Sequence, residues 1–89
     1  MARHEPTDAS TQDHRVLGRA LRELRNQAGF TQEKLGARAD IGASYLSQLE
    51  NGHRGVSWHT VTRIIEALDV TLRQLAEEYE RQRLNIPSG

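Results

Sequence analysis

The chain has no cysteine, and its aromatic residues are one Trp, two Tyr and one Phe among 89 residues. Without thiols there is no disulfide framework and no thiolate metal site, which suits a reducing compartment. Long hydrophobic runs are missing as well. The opening stretch MARHEPTDASTQDH contains nothing like a secretory signal, and no segment approaches the roughly 20 apolar residues needed to span a bilayer. Nor does charge of one sign prevail: 12 basic residues face 12 acidic ones, a balance that does not by itself announce a nucleic-acid partner. Clustered titratable groups are also lacking. His4, His14, His53 and His59 are scattered, the inner two flank a loop without carboxylates, and a single pair offers no third metal ligand. No catalytic residue, metal ligand or cofactor site is assigned on this evidence.

What is present is one small domain's worth of sequence with an uneven charge distribution. Residues 15–68 carry eight basic and five acidic side chains, whereas residues 1–14 and 69–89 are both net acidic. A mildly basic centre between acidic flanks is compatible with a phosphate-facing surface. Residues 1–12, rich in Pro, Thr, Asp, Ser and Gln, read as a flexible tail, residues 13–84 as the folded domain, and residues 85–89 as a short C-terminal tail.

Hydrophobic periodicity predicts helices and no strands. A first helix is expected over residues 13–27, its stripe Leu17, Ala20, Leu21, Leu24 and, just beyond it, Ala28 recurring at three- and four-residue steps, with Gly29 as the stop and Phe30 packing behind it. Arg15, Arg19 and Arg22 line a neighbouring face; for Arg15 and Arg22 that reads as a solvated face. Arg25 falls near the buried stripe and needs a partner. Ser57 is a fitting N-cap for a fourth helix with the stripe Val61, Ile64, Ile65 and Leu68. Thr71 caps a last helix over residues 72–83, with Leu72, Leu75, Ala76 and Tyr79 inward and Glu77, Glu78, Glu80 and Arg81 outward.

The informative stretch is residues 31–52, TQEKLGARADIGASYLSQLENG. Thr31 caps a short helix whose first turn holds Gln32 and Glu33, Asp40 ends it in the left-handed conformation, and a second helix runs from Ala43 to Asn51 with Gly52 as its stop. Gly36 inside the first of these costs roughly 1 kcal/mol relative to Ala, which a close helix approach would explain. Leu35, Ala39, Ile41, Leu46 and Leu49 supply apolar contacts. Gln32, Ser44, Ser47, Gln48 and Asn51 are left pointing outward, and amides and hydroxyls both donate and accept hydrogen bonds at base and phosphate positions.

TQEKL, a small residue at Gly36, Ile41 and then SYLSQLENG resemble the helix-turn-helix of the phage Cro and repressor family, also called the XRE family. The resemblance extends over residues 17–75, about two thirds of the chain. It implies an all-α, compact, five-helix lambda-repressor-like domain that binds operator DNA as a homodimer, each subunit placing the helix with Ser44 in the major groove. The operator would carry two half-sites, and the protein would be cytoplasmic. Val56-Ser57, where many relatives have Pro at the first position, is similar more narrowly to controller proteins of restriction–modification systems. Trp58, where related sequences place Leu, is expected to pack in the core rather than to stack on bases.

The same resemblance implies site roles. Ala43, Ser44, Ser47 and Gln48 would face base edges, and Gln48 would pair bidentately with adenine. Gln32, at a helix N-terminus, would hold a phosphate and buttress Gln48, while Asn51, Arg54 and Arg19 would hold further phosphates. Arg25 would pair with Glu50. The last helix is expected both to complete the core and, with Leu84 and Ile86 beyond it, to meet a second subunit. No small-molecule ligand is evident. The same fold also serves in antitoxins and other protein-interaction modules, an alternative for which only the two short tails offer a partner-binding segment.

Overall fold

The computed structural model describes residues 8–85, which form five helices and, among those residues, no strand. Helix α1 spans Asp8–Ala28, α2 Gln32–Ala39, α3 Ala43–Glu50, α4 Trp58–Leu68 and α5 Leu72–Asn85. α1 packs chiefly on α5 and α3, while α2 lies between α3 and α4.

Local chemistry sets most of the boundaries. The Thr31 hydroxyl accepts from the Lys34 N–H at 3.0 Å, and Ser57 does the same for Thr60 at 3.1 Å. Thr71 and Gln74 form a reciprocal capping box, with the Gln74 N–H bonded to Thr71 Oγ1 at 3.0 Å and the Thr71 N–H to Gln74 Oε1 at 2.7 Å. Asp40 ends α2 in the left-handed region at φ 59°, and Asp69 ends α4 at the same φ. Gly52, at φ 75°, closes α3 while the His53 N–H reaches back to the Gln48 carbonyl at 3.0 Å.

Helix α1 begins five residues before the expected Asp13, so residues 8–12 of the expected tail stand in the helix. Their sequence carries no apolar stripe, so the periodicity gave no signal there; an acid at the first position suits the helix dipole and Ala9 has high helix propensity. The remainder of that tail, residues 1–7, lies outside the described residues, as does Ile86.

The core collects Val16, Ala20, Leu21, Leu24, Leu35, Ala39, Leu46, Leu49, Val61, Ile64, Ile65, Leu68 and Leu75. Three expectations for it are corrected. Trp58 is 63 % exposed, because it occupies the first position of α4 while Val56, just outside the Ser57 cap, packs against the core instead. At the end of α1, Ala28 is exposed, while Val16 near its middle is buried. On α5, Leu72 and Ala76 are exposed and Glu78 is only 2 % exposed, so the buried face is rotated from the apolar stripe. Gln82 donates to the Glu78 carboxylate at 2.7 Å and Arg81 also bonds it, which makes that burial tolerable.

Candidate nucleic-acid interface

The turn between α2 and α3 is closed by a direct backbone approach. Gly36 is buried, and a Cβ there would stand 2.7 Å from the Ile41 carbonyl of the turn. The Ile41 N–H in turn bonds the Gly36 carbonyl at 2.8 Å. A second close approach had no counterpart in the sequence reading. Gly18 of α1 abuts the C-terminal carbonyls of α3, where an added Cβ would lie 2.7 Å from the Glu50 oxygen and closer still to that of Leu49. Any side chain at either glycine would push α3 away from its supports.

Below α3, Glu50 is a buried hub, 1 % exposed. Arg25 reaches it with two parallel bonds, Nε to Oε2 at 2.6 Å and Nη2 to Oε1 at 2.9 Å, and donates through Nη1 to the Phe30 carbonyl at 2.8 Å. The bonded carboxylate raises the Arg25 guanidinium above its ordinary pKa, with burial working against it and the charges of Glu50 and Glu33 adding to the rise. Gln32 donates its amide to Glu50 Oε1 at 3.0 Å. The Gln32 amide thus buttresses Glu50 and not Gln48. Its place beside the N-terminus of α2 is unchanged.

The outward side of α3 presents Ser44 and Gln48, both exposed, with Ala43 and Ser47 half-buried beside them. Gly42 offers no side-chain cap, so the first turn of α3 keeps its N–H groups for an external acceptor. Asn51 is exposed at the C-cap, and Arg54 and Arg19 are exposed nearby in sequence and on α1. Gln48 Oε1 accepts from Arg54 Nη1 at 3.3 Å, and the Arg54 guanidinium lies 5.2 Å from the centre of the Tyr45 ring.

Two participants were missing from the expected set. Arg22, read as part of a solvated face, donates to Asn51 Oδ1 at 2.6 Å and lies 3.6 Å from Glu50. Its position one turn before Arg25 was the available signal. Tyr45, three residues before Gln48 on the same helix, carries Arg54, and nothing in its spacing distinguishes that role from packing. Among the described residues no group of three His, Asp or Glu side chains is placed to hold a metal, and no helix is long and apolar enough to cross a membrane.

A helix-turn-helix domain family model matches residues 16–78, most of the chain. The chain belongs to that helix-turn-helix family. Control protein C.MunI of a Mycoplasma species is 33 % identical over 67 residues, covering 74 % of this chain and 90 % of the relative. The crystal structure of the restriction–modification controller protein C.AhdI from Aeromonas hydrophila is 36 % identical with a TM-score of 0.68, covering 71 % of this chain and 96 % of that one. In longer relatives the match is only a part. The HTH-type transcriptional regulator PrpR of Mycobacterium tuberculosis is 30 % identical over 70 residues, which is 79 % of this chain and 14 % of PrpR. This helix-turn-helix protein is a DNA-binding transcription regulator of the Cro and repressor type, not an enzyme.

Proposed function

We infer that the protein binds double-stranded operator DNA as a homodimer and acts as a repressor or as a controller of the restriction–modification type, working in the cytoplasm. The observation that carries this reading is the outer face of α3. Exposed Ser44 and Gln48 stand on a rigid element whose underside is fixed through buried Glu50. Rigidity matters because a base-reading side chain on a mobile element would lose its discrimination to conformational entropy.

In this reading Ala43, Ser44, Ser47 and Gln48 meet base edges in the major groove, and Gln48 carries most of the discrimination. Arg54, Asn51, Arg19 and Gln32 hold phosphates on either side and set the register. The second subunit docks on α5, where Leu72 and Leu84 are 48 % and 76 % exposed. Two-fold symmetry then places the two α3 helices about 34 Å apart, one turn of duplex.

Selection of retained duplexes from a random pool by the full chain tests the reading. Enrichment of a pseudo-palindrome with half-sites spaced by one turn, or somewhat more, is expected. A pool that stays random after repeated rounds rejects DNA readout and favours the use of this fold as an antitoxin or another protein-interaction module.

A further inference from the structure

The Gln48 side chain has a neighbour that decides which end of its amide faces outward. Arg54 Nη1 donates to Gln48 Oε1 at 3.3 Å, so the amide oxygen already has a donor, and the NH2 group, with both of its hydrogens, is the end left for an incoming base. Arg54 is itself held. Its guanidinium lies 5.2 Å from the centre of the ring of Tyr45, which stands three residues before Gln48 on the same helix and packs half-buried against the core. The backbone on both sides of Arg54 is pinned as well. The His53 N–H bonds the Gln48 carbonyl at 3.0 Å. Gly52 sits against Arg15 of α1, where an added Cβ would stand 2.8 Å from Cγ, and Gly55 sits against His14, where one would stand 2.9 Å from Nε2.

We propose that Tyr45 and Arg54 are positioning residues that make Gln48 a reader of guanine rather than of adenine. The proposal rests on the DNA reading above and deepens it by naming the base. Bidentate pairing with adenine, expected from the sequence, needs the amide oxygen to accept from N6 while the NH2 group donates to N7. Here the adenine amino group would have to share that oxygen with a guanidinium and would meet its positive charge at close range. Guanine presents two acceptors, N7 and O6, on the same groove edge, and these match the two outward hydrogens. The cation beside the amide attracts the same pair of acceptors. Arg54 carries five N–H donors and spends one on Gln48, so contact with a phosphate remains open to it.

The test uses the full chain and the operator obtained by selection, with every base pair placed in turn at each half-site position and affinities measured by fluorescence anisotropy. Gln48→Ala marks the base pair that Gln48 reads, as the position where preference collapses. There the wild type should favour guanine over adenine by at least about fivefold, the lower end of what a bidentate contact discriminates. Arg54→Ala and Tyr45→Leu, which free the amide oxygen, should remove or invert that ratio, and Tyr45→Phe, which keeps the ring face, should restore it. A merely structural Tyr45 would instead lower affinity equally for every duplex. Arg54 is exposed in a loop, so its variant carries the test even where thermal melting shows that Tyr45→Leu does not fold. A wild-type preference for any base other than guanine, or a guanine preference that survives Arg54→Ala, overturns the proposal and leaves the DNA reading in place. An unmoved ratio in folded Tyr45→Leu overturns the role of Tyr45. No position marked by Gln48→Ala overturns base reading by Gln48, and a chain that retains no duplex overturns the DNA reading itself.

Discussion

Arg25 and Glu50 are joined side by side, Nε to Oε2 at 2.6 Å and Nη2 to Oε1 at 2.9 Å, with the carboxylate side chain wholly buried and the guanidinium side chain 12 % exposed. The pair ties the last turn of α1 to the last residue of α3. Removing one partner leaves the other buried and uncompensated, at a cost of about 3–5 kcal/mol. Arg25→Met and Glu50→Gln are therefore expected to melt far below wild type or to fail to fold. Either variant melting with wild-type thermal stability, followed by circular dichroism, would remove the pair from the account.

How much of this was legible in the sequence depends on whether the cause was local. Caps and stops could be read directly, because Thr31, Asp40, Ser57 and Thr71 act on backbone groups within a few residues of themselves. The polar face of α3 was legible for a related reason: its spacing places Ser44 and Gln48 away from Leu46 and Leu49. What was missed depends on the third dimension. The burial of Glu78 follows from how α5 lies on α1, and the exposure of Trp58 from Val56 taking the core position. Gly18 gave no signal either, since a glycine in a helix looks like a propensity defect until the carbonyls opposite it are known.

Gly18 supplies the second prediction. With the Glu50 carbonyl oxygen 2.7 Å from where a Cβ would stand, Gly18→Ala must move α1 off α3. Intrinsic helix propensity favours the change by about 1 kcal/mol, yet overpacking against backbone costs about 1–3 kcal/mol. A lower urea midpoint is expected, with lost affinity for duplex as α3 shifts. A raised midpoint would contradict the close approach.

Tyr79 gives a pH dependence. Its phenol is raised above the ordinary value of 10.0, first by burial and then by the charge of Asp13, whose carboxylate accepts its hydroxyl at 3.4 Å. A raised folded-state pKa means that the neutral phenol is favoured by folding. The contribution is complete below about pH 10 and is lost as pH climbs through the folded-state value. Denaturant midpoints measured from pH 8 upward should fall at the alkaline end, and Tyr79→Phe should fall less. Parallel alkaline limbs in the two proteins would rule Tyr79 out as the source.

The dimer reading makes Leu72 and Leu84 interfacial. Burying a Leu side chain contributes about 1.5–3 kcal/mol, so Leu72→Arg/Leu84→Arg should raise the dimer dissociation constant by at least about tenfold. Sedimentation equilibrium measures this without DNA. Unchanged dissociation, with the fold intact, would place any subunit contact elsewhere.

Base discrimination by Gln48 is the claim on which the functional account stands. The decisive measurement compares affinities of wild type, Gln48→Ala and Arg54→Ala for the selected operator and for its single-base variants. Gln48→Ala should erase about 1–3 kcal/mol of preference at one base pair in each half-site while leaving the other positions alone. Arg54→Ala should weaken every duplex and, through its 3.3 Å bond to Gln48, blunt preference at that same base pair. Uniform loss across all duplexes for Gln48→Ala, with no base pair losing its preference, would contradict the assignment of α3 as the reading element.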